Sequence, residues 1–151
     1  MTYVFVYGTL KRGQPNHSRM LDHTNGGASF CGRGSTIDKY PLVIAGHGNI
    51  PFLLNIPEQG HHIQGEVYFV DGQMLAFLDQ FECVPDMYQR TLVKLKVEEW
   101  VDGAGCGQTP GSTMEAFVYS TTTYQPDWVN LQTYKSYDSY GGHGLAYTNH
   151  F

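Results

Sequence analysis

Residues 3–13, Tyr3-Val4-Phe5-Val6-Tyr7-Gly8-Thr9-Leu10-Lys11-Arg12-Gly13, join a run of β-branched and aromatic side chains to a glycine turn. The run predicts a buried strand that ends at Gly8. Gly8 and Gly13 have the spacing of a P-loop, but Gln14 and Pro15 stand where that motif requires lysine and a hydroxyl residue. The turn therefore lacks the side chains that hold a nucleotide phosphate. Its successive backbone N–H groups can still hold a carboxylate or an oxyanion, although an ordinary tight turn explains the same spacing.

Patterns further along the chain predict a small bent sheet with few helices. Clustered or alternating apolar residues predict strands at residues 40–45, 50–56, 63–70, 88–100 and 115–120. Short helices are predicted from after Pro15 to Leu21 and around residues 127–131, and residues 102–113 are predicted to be a flexible connection. The tyrosine-rich residues 134–151 either pack on the domain or form a lid, and packing is the favoured interpretation. These elements predict an α+β fold, a small mixed β-barrel with flanking short helices, in one domain over residues 1–151.

The longest predicted helix places a glutamate at the edge of its apolar stripe. The helix covers residues 73–82, with Asp71 as its N-cap and an apolar stripe centred near Met74 and Leu78. Glu82 falls roughly 70° from that centre, whereas Asp79 falls on the opposite side. Burial and the negative helix end would raise the pKa of Glu82 and suit it to act as a general base. The alternative, which periodicity alone favours, is a boundary glutamate that reaches solvent or pairs with Arg90.

Composition argues against several classes of function. Lys and Arg number 9 and Asp and Glu 14 among 151 residues, for a net charge of −5 without a basic cluster, which argues against binding nucleic acid or an anionic membrane. No run approaches the ~18 apolar residues of a membrane span, and no signal peptide pattern is present, so we expect a cytoplasmic protein. Cys31, Cys83 and Cys106 are odd in number and far apart, which predicts reduced thiols.

Other titratable residues show weaker patterns. His61 and His62 are adjacent and would face opposite sides of a strand, and the remaining histidines lack metal-ligand spacing, so no metal site is predicted. Glu66 and Glu115 lie in predicted strands. Each could point into a barrel, but a solvent-facing position is expected for both.

Several collinear motifs give the chain a family resemblance. The turn at residues 7–13, the segment Phe77-Leu78-Asp79-Gln80-Phe81-Glu82 and the later Tyr88-Gln89-Arg90-Thr91 all contribute. Further agreement comes at residues 40–46, 49–51, 65–68, 117–120 and 136–139. On these motifs the sequence resembles the γ-glutamyl cyclotransferase superfamily over about residues 3–147. It departs from that pattern at residues 102–113 and after Ser139.

The resemblance implies a fold, a reaction and a site. It implies a small mixed barrel in which Tyr7, Gly8, Thr9 and Leu10 bind the γ-glutamyl group and Glu82 is the catalytic acid and base, without a cofactor. The implied reaction releases 5-oxoproline and a free amine from a γ-glutamyl amine such as γ-glutamyl-ε-lysine. Two alternatives remain open, a preference for γ-glutamyl amino acids or glutathione and a non-catalytic pocket for a carboxylate-bearing metabolite. The expected partner is a small-molecule substrate, and a monomer is expected.

Overall fold

A computed structural model describes residues 2–101 and 107–148 of the chain. Seven strands and two helices follow one another with short 3-10 turns at His23–Asn25 and Pro126–Asn130. The strands are β1 (Thr2–Val6), β2 (Ala28–Tyr40), β3 (Leu42–Ala45), β4 (Ile50–Leu53), β5 (His61–Val70), β6 (Gln89–Trp100) and β7 (Thr113–Ser120), and the helices are α1 (His17–Leu21) and α2 (Gly72–Phe81).

Five of the strands close into a barrel in the order β1-β5-β2-β6-β7. Four neighbouring pairs are antiparallel, and the barrel closes through a parallel contact at which Val4 of β1 pairs with Phe117 of β7. The remaining strands, β3 and β4, form a separate antiparallel pair. The predicted small mixed β-barrel with flanking short helices is therefore confirmed. No helix within the described ranges is long and apolar enough to span a membrane.

Strand β2 is the element that the sequence patterns do not predict. Its residues alternate poorly because Gly32 and Gly34 interrupt the apolar positions and Arg33, Asp38 and Lys39 are charged. Gly32 lies so close to β6 that a Cβ there would collide with the carbonyl oxygen of Glu99. The glycines interrupt the apolar pattern by which a strand is predicted, and their lack of a side chain allows β6 to approach β2.

Strand boundaries differ from the predictions around the β3–β4 pair. Tyr40 belongs to β2, and β4 ends at Leu53 and not at residue 56. Leu54 instead bridges to Thr121, and the next backbone N–H, from Asn55, donates to the Thr121 carbonyl. The apolar run predicts a longer strand because it continues past the point where the chain leaves its partner.

The core has two apolar clusters that meet along β1. Val4 and Val6 pack with Met74 and Leu78 of α2, whereas Phe5 belongs to the second cluster, which includes residues of β6. Both faces of β1 are therefore covered, which explains why its sequence is an unbroken apolar run. The chain leaves β1 at the boundary between the two clusters.

Helix α2 begins and ends close to the predicted residues. The Asp71 carboxylate accepts hydrogen bonds from the N–H groups of Met74 and Gly27, both at 2.8 Å, and so joins the helix to the start of β2. Met74 and Leu78 are fully buried. Glu82 is the C-cap, with its N–H donating to the Leu78 carbonyl at 2.9 Å. The helix therefore carries Glu82 to the end of β1.

The tyrosine-rich C-terminal segment packs against the domain where the structure describes it. Tyr137 is 2% exposed, and its carbonyl accepts a hydrogen bond from Lys11 Nζ at 2.6 Å. The N–H of Tyr134 donates to Leu42, and the N–H of Thr148 donates to Gly48. Tyr137 therefore packs into the domain, whereas Tyr140 is 70% exposed. Residues 102–106, within the predicted flexible connection, and residues 149–151 lie outside the described ranges.

Candidate active site

A small cleft, with a cavity volume of about 30 Å³, opens where β1 ends. The chain after β1 forms one wall with Tyr7, Gly8, Thr9 and Leu10, and Glu82 lies at the cleft from the end of α2. The structure thus brings together all five site residues that the sequence and the resemblance indicate. Pro51 and two further tyrosines, Tyr88 and Tyr119, also line the cleft.

The turn after β1 is held by contacts that leave its N–H groups available. Asn16 donates to Thr9 twice, from its N–H to the carbonyl at 2.8 Å and from its side-chain amide to the hydroxyl at 3.0 Å. Lys11 donates its N–H to the Gly8 carbonyl at 3.2 Å. Within residues 2–101 and 107–148, no group accepts a hydrogen bond from the N–H of Gly8, Thr9 or Leu10. Adjacent N–H donors of this kind suit a carboxylate or a developing oxyanion.

Glu66 holds the far end of this turn. The expectation that Glu66 faces solvent is wrong, because the residue is only 8% exposed. Its carboxylate accepts from the Arg12 N–H at 2.9 Å and from the Tyr68 hydroxyl at 3.1 Å, and Arg12 Nε lies 3.3 Å away. A buried carboxylate is tolerated here because these donors replace water. Glu115, in contrast, is exposed as expected.

Glu82 has a partly buried side chain in an environment that disfavours its charge. Burial raises the pKa of its carboxyl group to about 8. The alternative of a pair with Arg90 is wrong, because Arg90 Nη1 contacts Asp79 at 2.9 Å. Glu82 is therefore a carboxyl group at the cavity wall with a pKa near neutral pH, which is the property required of a general base.

Asp79 is partly buried although helical phase directs it away from the apolar stripe. The strands β6 and β7 supply its two partners, Arg90 and Tyr119, whose hydroxyl donates to Asp79 Oδ1 at 2.8 Å. The barrel thus reaches Asp79 on the side of α2 that periodicity assigns to solvent, whereas Ala76 and Gln80 stay exposed. Asp79 lies one helical turn before Glu82, and its carboxylate holds the hydroxyl of Tyr119, a residue that lines the cavity.

The hydroxyl groups of three tyrosines that line the cavity donate hydrogen bonds to backbone carbonyls or to Asp79 of α2. Tyr7 donates to the Tyr119 carbonyl at 2.6 Å and accepts from the Leu53 N–H at 3.2 Å. Tyr88 donates to the Pro51 carbonyl at 2.7 Å. The sequence assigns no site role to Tyr88, Tyr119 or Pro51, although each lies in a segment that carries the family resemblance, because local patterns do not show which strand ends meet at the cleft.

The chain matches the gamma-glutamyl cyclotransferase, AIG2-like family over residues 4–139. The chain belongs to this family. It is 57% identical to the gamma-glutamylaminecyclotransferase of Rattus norvegicus over 147 residues, which cover 97% of this chain and 96% of the rat protein. The Homo sapiens protein of the same name is 52% identical, with the same coverage of each chain.

A solved structure from the AIG2-like family has the same fold. The crystal structure of an AIG2-like protein from Mus musculus superposes with a TM-score of 0.91 at 53% sequence identity. The match covers 99% of this chain and 97% of the mouse chain. The barrel that carries the cavity is therefore the one this family uses.

Among the described residues of this gamma-glutamyl cyclotransferase-like chain, no histidine or cysteine lines the cavity. The described residues contain no group of three His, Cys, Asp or Glu side chains placed to hold a metal ion. His61 and His62 are exposed on β5. Cys31 is buried and Cys83 is exposed, and both are thiols, whereas Cys106 lies outside the described ranges.

Proposed function

We propose that this protein is a γ-glutamylamine cyclotransferase that converts γ-glutamyl-ε-lysine to 5-oxoproline and free lysine. One observation carries the proposal: Glu82, with its pKa near 8, shares a small cavity with a turn whose backbone N–H donors lack protein acceptors among the described residues. The names of the rat and human relatives, at 57% and 52% identity, support the choice of substrate class.

The proposed reaction needs one base and an oriented substrate. The substrate's α-nitrogen attacks its own γ-carbonyl carbon, so a C–N bond forms to close the ring and the C–N bond to the leaving amine breaks. Two protons move from the α-ammonium to the leaving nitrogen, which departs as an ammonium group, so the reaction balances without an oxidant, a reductant or a cofactor. Holding both reacting groups in near-attack geometry supplies much of the rate enhancement.

Glu82 and the turn have separate roles in this proposal. Glu82 takes the two protons from the substrate's α-nitrogen one after the other and passes each to the departing nitrogen. The N–H groups of Gly8, Thr9 and Leu10 hold the α-carboxylate or the oxyanion that develops on the γ-carbonyl oxygen. Tyr7 lines the cavity, and its hydroxyl positions the turn through its bonds to Tyr119 and Leu53.

We further propose that the protein acts in the cytoplasm as a monomer. The free thiols of Cys31 and Cys83 suit the reducing conditions of that compartment. Its exposed large apolar residues lie on separate segments, among them Leu21, Leu92 and Tyr140, and scattered apolar residues are normal on monomers.

A substrate panel tests the proposed function. We expect the protein to release 5-oxoproline from γ-glutamyl-ε-lysine with a higher kcat/KM than from a γ-glutamyl α-amino acid or from glutathione. A preference for either of the last two would assign the chain to a different cyclotransferase activity. Tight 5-oxoproline binding without turnover of any γ-glutamyl compound would favour the non-catalytic alternative and overturn the proposal.

Adding a methyl group at Gly8 is expected to lower kcat/KM for 5-oxoproline release about 10- to 100-fold, the scale of an ångström-sized misplacement. A Cβ at Gly8 would lie 2.9 Å from Pro51 Cγ, so the turn or Pro51 must move, and both line the cavity. Gly72→Ala is the matched control because a Cβ at Gly72 meets open space. Melting temperatures of both variants report folding, and an unchanged kcat/KM in a folded Gly8→Ala protein would contradict the proposed role of the turn.

A further inference from the structure

The three cavity tyrosines, Tyr7, Tyr88 and Tyr119, each donate their hydroxyl proton to another group of the protein. A phenol has a single proton to donate. Tyr7 gives its proton to the Tyr119 carbonyl, Tyr88 gives its proton to the Pro51 carbonyl, and Tyr119 gives its proton to Asp79. Each oxygen can therefore only accept a hydrogen bond from whatever occupies the cavity.

The polar lining is consequently divided into two kinds of surface. The turn at Gly8–Leu10 offers backbone donors. Glu82, Tyr88 and Tyr119 also line the cleft, and when Glu82 is ionised all three carry an oxygen that can accept a hydrogen bond, whereas Tyr7 already accepts from the Leu53 N–H. An acceptor surface that includes a carboxylate is complementary to a cationic group with several N–H donors.

We infer that Tyr119 binds the α-ammonium group of the γ-glutamyl substrate beside Glu82, and that Asp79 is the positioning residue that keeps the Tyr119 oxygen available as an acceptor. The inference rests on the proposed function, because it identifies the part of the site that recognises the attacking nitrogen. Tyr119 would touch the substrate directly, whereas Asp79 acts through Tyr119.

The surroundings of Tyr119 hold its hydroxyl in this state. Tyr119 is 3% exposed, so its hydroxyl depends on protein partners. Burial raises the pKa of Tyr119, the hydrogen bond and the charge of Asp79 raise it further, and the nearby Glu82 charge adds to the effect. The phenol therefore keeps its proton and directs it to Asp79.

The contact between Arg90 and position 79 determines the orientation of the side-chain amide in Asp79→Asn. Arg90 contacts Asp79 Oδ2 at 2.9 Å, whereas Tyr119 donates to Oδ1 at 2.8 Å. In Asp79→Asn the guanidinium, which has only donors, needs the remaining oxygen. The amide nitrogen then faces Tyr119, the phenol must accept from it, and the phenol proton turns toward the cavity and the substrate ammonium. Asp79→Asn thus reverses the polarity of Tyr119, whereas Tyr119→Phe only removes the acceptor.

A ligand comparison tests the inference in the Glu82→Gln background, where turnover does not interfere with binding measurements. The two ligands are γ-glutamyl-ε-lysine and the glutaryl analogue that lacks only the α-amine. We expect Tyr119→Phe to weaken binding of the first about tenfold, the effect of losing a hydrogen bond to a charged group, and to leave binding of the second unchanged. Asp79→Asn is expected to weaken the first at least as much. Tyr124→Phe, outside the cavity, is the matched control and should change neither dissociation constant.

A double-mutant cycle separates positioning from general stabilisation of the fold. If Asp79 acts through Tyr119, adding Asp79→Asn to Tyr119→Phe weakens γ-glutamyl-ε-lysine no further than Tyr119→Phe alone. Equal weakening of both ligands, or additive effects of the two substitutions, would overturn the inference. Turnover by the unmodified protein decides the proposed function separately, because it does not depend on how these variants bind the two ligands.

Discussion

Glu82→Gln is expected to reduce 5-oxoproline release from γ-glutamyl-ε-lysine by about 10²- to 10⁴-fold, the usual cost of losing a general base. The amide has nearly the shape of the carboxyl group but cannot take a proton from the α-ammonium. Its hydrogen bond to Leu78 through the backbone N–H is unaffected, so the end of α2 should keep its conformation. The measurement is kcat/KM in a 5-oxoproline release assay.

A matched control and a binding measurement make this result specific to position 82. Glu115→Gln makes the same chemical change at an exposed site on β7 and should leave kcat/KM unchanged. Binding of 5-oxoproline should survive in Glu82→Gln, since the turn at residues 7–10 is intact. Turnover within a few fold of the unmodified protein would remove Glu82 from the mechanism.

The same substitution is expected to stabilise the protein at alkaline pH. Burial raises the pKa of Glu82 from 4.5 to about 8 in the folded state. Below about pH 4.5 the carboxyl group is neutral in both states and costs nothing. As the pH rises from 4.5 through 8, the Glu82 carboxyl group ionises in the unfolded chain but keeps its proton in the folded protein. The free energy of unfolding therefore falls relative to a variant without this group.

The stability difference follows from the size of the pKa shift. At about 1.4 kcal/mol per pKa unit, the free energy of unfolding of Glu82→Gln should exceed that of the unmodified protein by a few kcal/mol at pH 9. This difference should disappear toward pH 4.5. Urea unfolding of both proteins from pH 4.5 to pH 9 measures it, with Glu115→Gln as the exposed control that shows no such gap. A constant difference across this range would mean that Glu82 titrates in the folded protein as it does in the unfolded chain.

The two expected results have one physical cause. Burial makes the charged form of Glu82 costly, and that cost both destabilises the fold at high pH and brings the pKa near the pH at which a general base works best. When the substrate's α-ammonium lies beside Glu82, the opposite charge favours the ionised carboxylate. In the proposed mechanism the base therefore becomes competent where its proton donor is bound.

Helical phase predicted where Glu82 lies but not what surrounds it. The spacing of apolar residues in α2 places Glu82 at the edge of the buried stripe, and in the structure Glu82 is the partly buried C-cap of α2 and lines the cleft. The same spacing leaves the alternative of a pair with Arg90 open. Which carboxylate pairs with Arg90 depends on how β6 packs against α2, and in the structure that carboxylate is Asp79.

The residues that sequence patterns miss share a physical feature. Tyr88, Tyr119 and Pro51 lie on separate strands or strand ends, and each is an ordinary strand residue within its own local pattern. Glu66 was expected at the surface because a lone glutamate in a strand usually is. Its donors come from Arg12, 54 positions earlier in the chain, and from Tyr68.

Local sequence was sufficient for features that depend on contacts within one strand, one helix or one turn. The apolar run of β1, the glycine turn after it, and α2 with its Asp71 cap arise from short-range sterics and hydrogen bonds. Only the tertiary structure decided the strand order, the pairing of β2 and the partners of the buried carboxylates. Those outcomes depend on which distant segments exclude water from one another, and closing the barrel brings Glu82, Tyr119 and the turn at Gly8 to a single cavity. Burial in that cavity, which no local pattern specifies, is what raises the pKa of Glu82.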